Sequence, residues 1–226
     1  SVDPDPVPND TYYADFDADW VCEVAVGRAS VNSTGSGSGG IGNFINKVLT
    51  YEKNPPLTDY AAKGGFFGFD LDSSTHAEQC KITIRNAYVP LNWIVATVYD
   101  SQTGNHLTNA ITAMNAGAHL LNHADHSASD YMGTGYVNHN WGLTPSSMDG
   151  LTNGPKQGIL YSMGCDPAAY DADACIAEHY VRNPNGGGVA FIGNSRYGWY
   201  NPGAYNTLSM RYDQYFFRSL LAENFY

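Results

Sequence analysis

Gly158-Ile-Leu-Tyr-Ser-Met-Gly-Cys-Asp166 is a short apolar run that stops abruptly at Gly164-Cys165. A buried strand of this kind delivers the next side chain to the carboxyl edge of a parallel sheet, where α/β proteins keep their chemistry. A second run, Ala118-His-Leu-Leu-Asn122, ends in His123-Ala-Asp-His126-Ser127. One strand end with a cysteine and another with a histidine supply a thiol nucleophile and an imidazole to handle its proton. Cys165 and His126 are the candidate pair. The plain alternative is that Cys165 is a core thiol, since free cysteine is among the most buried residue types.

Outward from these two runs, strand and helix patterns alternate. Ile41, Phe44, Ile45, Val48 and Leu49 recur at helical spacing and stop before Pro55-Pro56. Ala61 to Leu71 reads as a glycine-bearing strand with acids at its end, Asp70 and Asp72. His76 to Tyr88 reads as helix, Trp93 to Tyr99 as strand, and Leu107 to Ala116 as helix with Gly117 as its cap. After the Cys165 strand come a helix over about Ala172 to Val181, a buried strand at Gly186 to Ile192, and a last helix over Asn206 to Glu223. Ser30 to Gly40 is a Gly/Ser-rich stretch that reads as a mobile loop, Ser127 to Lys156 a long aperiodic one. The alternation predicts an α/β fold, a mostly parallel central sheet with helices on both faces. Residues 1–10 are expected to be an extended N-terminal segment and 11–226 a single domain.

The 226 residues are 43% hydrophobic, enough for one substantial core. No apolar run is long enough to span a bilayer. A formal charge of −11, with only 11 Lys and Arg, argues against nucleic acid and anionic membrane surfaces as partners. It suits basic peptides, though acidity also simply keeps a protein in solution. Seventeen Tyr and 24 Gly beside few Lys fit a secreted or cell-surface protein. Of the four cysteines, Cys22 and Cys80 could bridge in an oxidising compartment, while Cys175 lies in a helical pattern and reads as a buried thiol. The turn-rich opening Ser1-Val-Asp-Pro-Asp-Pro-Val-Pro8 reads as that of a processed or truncated product.

Near the start, Asp15, Asp17 and Asp19 alternate ahead of Trp20 and the strand-like Val21-Cys-Glu-Val-Ala-Val26. Hard oxygen ligands gather in this way in calcium loops, but the glycine and distal glutamate of an EF-hand are missing. A structural Ca2+ site and a solvated acidic turn both remain open. No cofactor is expected for catalysis.

Four segments taken together resemble the catalytic core of the gingipain-type cysteine peptidases, family C25, whose fold is caspase-like. They are Tyr12-Tyr-Ala-Asp-Phe-Asp-Ala-Asp-Trp20 with Val24-Ala-Val-Gly-Arg28, Leu120-Leu-Asn-His-Ala-Asp-His-Ser-Ala-Ser-Asp-Tyr-Met-Gly133, Tyr161-Ser-Met-Gly-Cys165, and Val189-Ala-Phe-Ile-Gly-Asn-Ser-Arg-Tyr-Gly-Trp199. The resemblance implies a caspase-like three-layer sandwich, with His126 as the catalytic histidine and Cys165 as the nucleophile. Histidine before cysteine excludes a papain-like order. It implies an oxyanion hole from the amides of Ser127 and Cys165, although the family usually has glycine on both sides of the histidine, where Asp125 and Ser127 stand here. The histidine-orienting acid falls on Asp70 or Asp72. Trp199, His123 and Met163 fall beside the substrate pocket, and Asn122 flanks it.

The resemblance also implies cleavage after a basic residue, arginine more than lysine, because the lysine-type pocket acid falls on Pro202. Glu78 is the candidate pocket acid, with Asp130 and Asp173 next. Substrates are then peptides or proteins, and a removed pro-segment or N-terminal subdomain is expected. A non-catalytic peptide-binding module and a transpeptidase are the rival readings, since one fold hosts many functions.

Overall fold

The structure is a computed structural model that describes residues 7–8, 10–35, 37–135, 141–172 and 174–223. The expected N-terminal segment, 1–10, lies largely outside the described residues, as does Asp173. A turn of helix, α1 (Thr11–Ala14), leads to α2 (Ile41–Lys53), β1 (Lys63–Gly68), β2 (Asp70–Asp72), β3 (Thr75–His76), α3 (Glu78–Tyr88), β4 (Ile94–Tyr99) and α4 (His106–Ala116). Then come β5 (Leu120–Ala124), β6 (Ser127–Ala128), β7 (Tyr131–Gly133), β8 (Gly142–Leu143), α5 (Pro145–Asp149), β9 (Gly158–Ser162), α6 (Ile176–Arg182), β10 (Gly188–Gly193) and α7 (Leu208–Leu221).

Five strands form one sheet in the order β10-β9-β5-β1-β4, and every pairing is parallel. Adjacent residues on a strand face opposite sides, and here each side meets its own helical layer. Phe67, Leu121 and Leu160 pack with Ala110 and Met114 of α4 and with Ile176, Tyr180 and Val181 of α6. Phe66 and Leu120 pack with Cys80 and Ile84 of α3 and with Met210 and Phe217 of α7. The result is the three-layer α/β sandwich that the pattern predicts. β5 is buried at all five positions, as a central parallel strand must be.

Four expectations need correction. Ser127 to Lys156 is not an aperiodic loop: its described part holds the antiparallel β6-β7-β8 sheet and α5. These strands are only two or three residues long, too short to show a period. Ala61 to Leu71 is divided into a short 3-10 turn (Asp59–Ala62), β1 and the start of β2. Val21 to Val26 forms no strand. It is exposed throughout, and its Glu23 and Val24 N–H groups donate to the Ala14 carbonyl. Cys22 is exposed while Cys80 is fully buried under α7, so no bridge joins them. Cys175 is a buried thiol, as expected, at the N-cap of α6.

A polar knot sits inside the α3/α7 layer. Lys81 of α3 pairs with Asp213 of α7 and donates to Asn122 Oδ1 of β5, while Asn122 Nδ2 donates to Asp213 Oδ1 at 2.8 Å. All three side chains are fully buried. Burial alone would push the Asp213 carboxyl up, and the Lys81 charge opposes that. Removing one partner of such a pair strands a charge in a dry environment at a cost of about 3–5 kcal/mol. Lys81→Met should therefore lower unfolding stability by about that amount in urea titrations. Adding Asp213→Leu should recover a large part of it. A double variant no better than the single one would show that shape, not charge, dominates this layer.

Candidate active site

The parallel ladder between β5 and β9 aligns His123 with Ser162. The two chains then leave the same sheet edge side by side, carrying His126 and Cys165 three residues further on. Gly164 permits this approach: a Cβ there would lie 2.1 Å from Ser127 Oγ and 2.7 Å from the Asp125 carbonyl. Any larger residue at 164 would push the two strand ends apart. Directly after Cys165, Asp166 turns the chain through a left-handed conformation, φ 60°, and its N–H donates to the Arg196 carbonyl at 2.9 Å. His126 and Cys165 line one cavity of about 440 Å³, together with Met163, Trp199, Tyr200 and Asp125.

His126 is oriented by a main-chain group. Its Nε2 lies 2.8 Å from the carbonyl oxygen of Leu71, and its ring meets Tyr200 edge-on with centroids 6.0 Å apart. A carbonyl only accepts, so Nε2 carries the proton and Nδ1 is the basic nitrogen. The expected acids on either side of Leu71 are engaged elsewhere. Asp70 Oδ1 accepts from His76 Nδ1 at 2.8 Å. Asp72 accepts from Ser74 N–H and Oγ, both at 2.8 Å, and from Thr75 Oγ1 at 2.9 Å, bonds that pull its carboxyl down to about 2. Residues 70 and 72 share one side of a strand while the peptide between them faces the histidine. The orienting contact thus falls on Leu71 and not on either carboxylate.

Cys165 is half-buried, and its thiol donates to the Gly198 carbonyl at 3.5 Å. Burial pushes this thiol above its ordinary value, and the charge of Asp166 adds to the shift. Cys165 therefore rests as a thiol. Ser127 lies in β6 opposite Met132, and the bond from Gly133 N–H to the His126 carbonyl (2.8 Å) makes that a non-hydrogen-bonded pair. The Ser127 N–H is thereby left out of the hairpin ladder.

Three expected pocket residues are elsewhere. His123 is fully buried beneath the site, with Nε2 on the Gly133 carbonyl (2.8 Å) and Nδ1 on Ser162 Oγ (3.0 Å). Burial lowers it to about 4, so it stays neutral and acts as a strut. Glu78 opens α3, where its Oε2 accepts the Ser101 N–H at 3.3 Å, and it does not line the cavity. Asp130 is exposed in the β6–β7 turn and is also absent from the lining. Sequence reasoning missed Leu71, because a carbonyl has no residue signature. It also missed Asp125, a buried acid at the cavity, and the aromatic walls Tyr197 and Tyr200. The chance of finding Tyr197 and Tyr200 lay in their flanking Trp199 in the same loop.

At the far N-terminal side, Asp15, Asp17, Asp19 and also Glu23 bring ligand oxygens within 4.8 Å of one another. Ala18 and Trp20 adopt positive φ (62° and 68°) as the loop folds its N–H groups onto Asp15. Four convergent carboxylate groups are a donor set that fits a hard cation.

Comparison with known proteins places this geometry. The model of peptidase family C25 matches residues 3–226. No curated protein matches the chain. The crystal structure of the Arg specific cysteine proteinase gingipain R (RgpB) is similar at a TM-score of 0.62 and 20% identity, over 80% of this chain and 41% of that one. A structure titled only as a protease reaches 0.59 at 24% identity, over 74% of this chain and 37% of that one. The complex of Porphyromonas gingivalis RgpB pro- and mature domains reaches 0.54 at 19% identity, over 69% of this chain and 38% of that one. These likenesses show a caspase-like fold. The chain spans well under half the length of the solved chains that it matches.

A resting thiol predicts a definite pH dependence. Alkylation of Cys165 by iodoacetamide, measured in a Cys22→Ser background, should accelerate with pH and reach half its plateau above the ordinary thiol value of about 8.5. Half-maximal labelling at or below about pH 7 would instead reveal a preformed thiolate–imidazolium pair.

Proposed function

The chain belongs to peptidase family C25, and we propose that it is the catalytic core of a cysteine endopeptidase working through Cys165 and His126. The observation that carries this reading is their shared cavity at the ends of two neighbouring parallel strands, with His126 anchored through Nε2 to Leu71. His126 Nδ1 takes the proton of Cys165 as the sulfur attacks the peptide carbonyl carbon. The oxygen then carries negative charge, and the N–H groups of Ser127 and Cys165 are the candidate donors to it. The imidazolium returns the proton to the departing amine, leaving an acyl-enzyme. Water, deprotonated by the same imidazole, hydrolyses the thioester and restores the thiol. Asp70 and Asp72 serve the loop between β2 and α3, not the histidine.

For specificity we propose a modest basic preference at P1. One solved relative is described as Arg specific, and the cavity is lined by the aromatic residues Tyr197, Trp199 and Tyr200, whose rings could receive a guanidinium. Asp125 is the sole carboxylate among the described lining residues, and both its oxygens already accept backbone N–H groups. A cation held by aromatic faces at exposed positions gains about 1 kcal/mol, roughly fivefold in specificity. We further place the protein outside the cell, with a pro-segment like the one whose complex with RgpB has been solved, and with a structural Ca2+ on Asp15, Asp17, Asp19 and Glu23.

Cys165→Ala and His126→Ala should each abolish peptide hydrolysis without loss of fold, read by mass analysis of products. Ligated products would favour the transpeptidase reading, and unaltered turnover in Cys165→Ala would overturn this one. In a P1 panel of Arg, Lys, Leu and Asp, kcat/KM should favour Arg over Leu by about fivefold, and Trp199→Ala should erase the difference. A preference for Leu would sink the basic assignment.

Calcium at about a hundredfold excess over its Kd should raise stability by roughly 3 kcal/mol. The check is a comparison of Tm in chelator and in calcium, with Asp17→Asn as control. Equal Tm values would reduce the cluster to a solvated acidic turn.

A further inference from the structure

Asp125, the residue before the candidate base, is buried between the end of β5 and the β6–β7 hairpin. Both of its oxygens are occupied by main chain. Oδ1 accepts the His126 N–H at 2.6 Å and Oδ2 accepts the Gly135 N–H at 2.8 Å. On the opposite flank, Gly133 N–H donates to the His126 carbonyl at 2.8 Å. The carboxylate fits only because position 133 is glycine: a Cβ there would lie 2.6 Å from Oδ2 and 2.9 Å from the His126 oxygen. His126 is thus gripped at its N–H, its C=O and its Nε2, and of these grips only Asp125 is made by a side chain.

We propose that Asp125 is a positioning residue: its carboxylate locks the His126 backbone to the β6–β7 hairpin, so that the imidazole keeps the place its Leu71 contact gives it. The inference rests on the Cys165–His126 reading of the site. The choice of side chain follows from the donors. Two N–H groups converge on it, and a carboxylate accepts both, whereas an amide accepts one and sets its own NH2 against the other.

The groups facing Asp125 are His126 on its own segment, Tyr131 of β7 and Asp100 at the end of β4. Burial holds its carboxyl up to about 7, against the two N–H bonds and the His126 ring, with Asp100 adding to the rise. Below that range the carboxyl takes up a proton, Gly135 or His126 loses its acceptor, and the grip on the base slackens. Activity should then fall on the acidic side together with the clamp.

The test compares Asp125→Asn with wild type in peptide hydrolysis across the acidic and neutral range. We expect kcat to fall about tenfold or more with KM changed less than about threefold, the signature of a loss felt in the chemical step. The acidic limb of kcat/KM should also move, because position 125 then has no carboxyl left to take up a proton. Should that variant not fold, the wild-type amide resonances of His126 and Gly135 provide the reading. They should titrate with one shared midpoint that coincides with the acidic limb. Wild-type kcat with an unmoved limb in Asp125→Asn, or no shared midpoint, would overturn the proposal. If Cys165→Ala still hydrolyses peptide, the underlying site reading fails. If Cys165→Ala is inactive while Asp125→Asn behaves as wild type, only the role of Asp125 fails.

Discussion

The ladder between β5 and β9 is the constraint on which the site depends. Parallel strands carry evenly spaced bonds and a fixed register, and a slip of one residue reverses every side chain. With His123 opposite Ser162, the chain ends that carry His126 and Cys165 emerge together. With glycine at 164 they can also touch. Neither residue needs to be aimed individually. The sheet delivers both, and the loop bearing Gly198 to Tyr200 closes over them as the cavity wall.

Two adjacent residues of β5 join that edge to the layers above and below. Asn122 faces the α3/α7 layer and binds Lys81 and Asp213. His123 faces the other way and binds Ser162 and the Gly133 carbonyl. Buried polar groups of this kind are costly unless every one is partnered, and partnered they admit few alternative arrangements. The strand under the base is therefore fixed on both faces by directional bonds as well as by packing. Such rigidity suits the mechanism proposed above, in which a neutral thiol gives up its proton to one particular nitrogen.

The sequence made the strand ends legible because Ile159 to Met163 and Ala118 to Asn122 are apolar runs with abrupt polar stops. It did not reveal that these strands are neighbours, which depends on pairing between segments about forty residues apart. Leu71 escaped notice because its side chain is core and its function lies in a carbonyl. Asp70 and Asp72 attracted attention as charged residues at a strand end, yet the turn to α3 consumes both. Asp125 read as an ordinary polar neighbour of the histidine, since burial is not visible one residue at a time. The β6–β8 sheet was hidden by its brevity, and Val21 to Val26, apolar except at Glu23, found no sheet to join.

The strand order β10-β9-β5-β1-β4 also sets the order in which a growing chain can acquire its chemistry. β4 and β5 flank β1 on either side, and all three are complete once Ala124 has been made, so the histidine half can assemble while the cysteine is still to come. β9 has no lodging except the open flank of β5, and β10 none except β9. Domains form from the N-terminal side during synthesis, and α7, which carries Asp213 to its partner on α3, arrives last of all. The candidate cysteine is therefore fitted only after the candidate histidine, and a chain halted before β9 holds His126 at its strand end with Cys165 still to come.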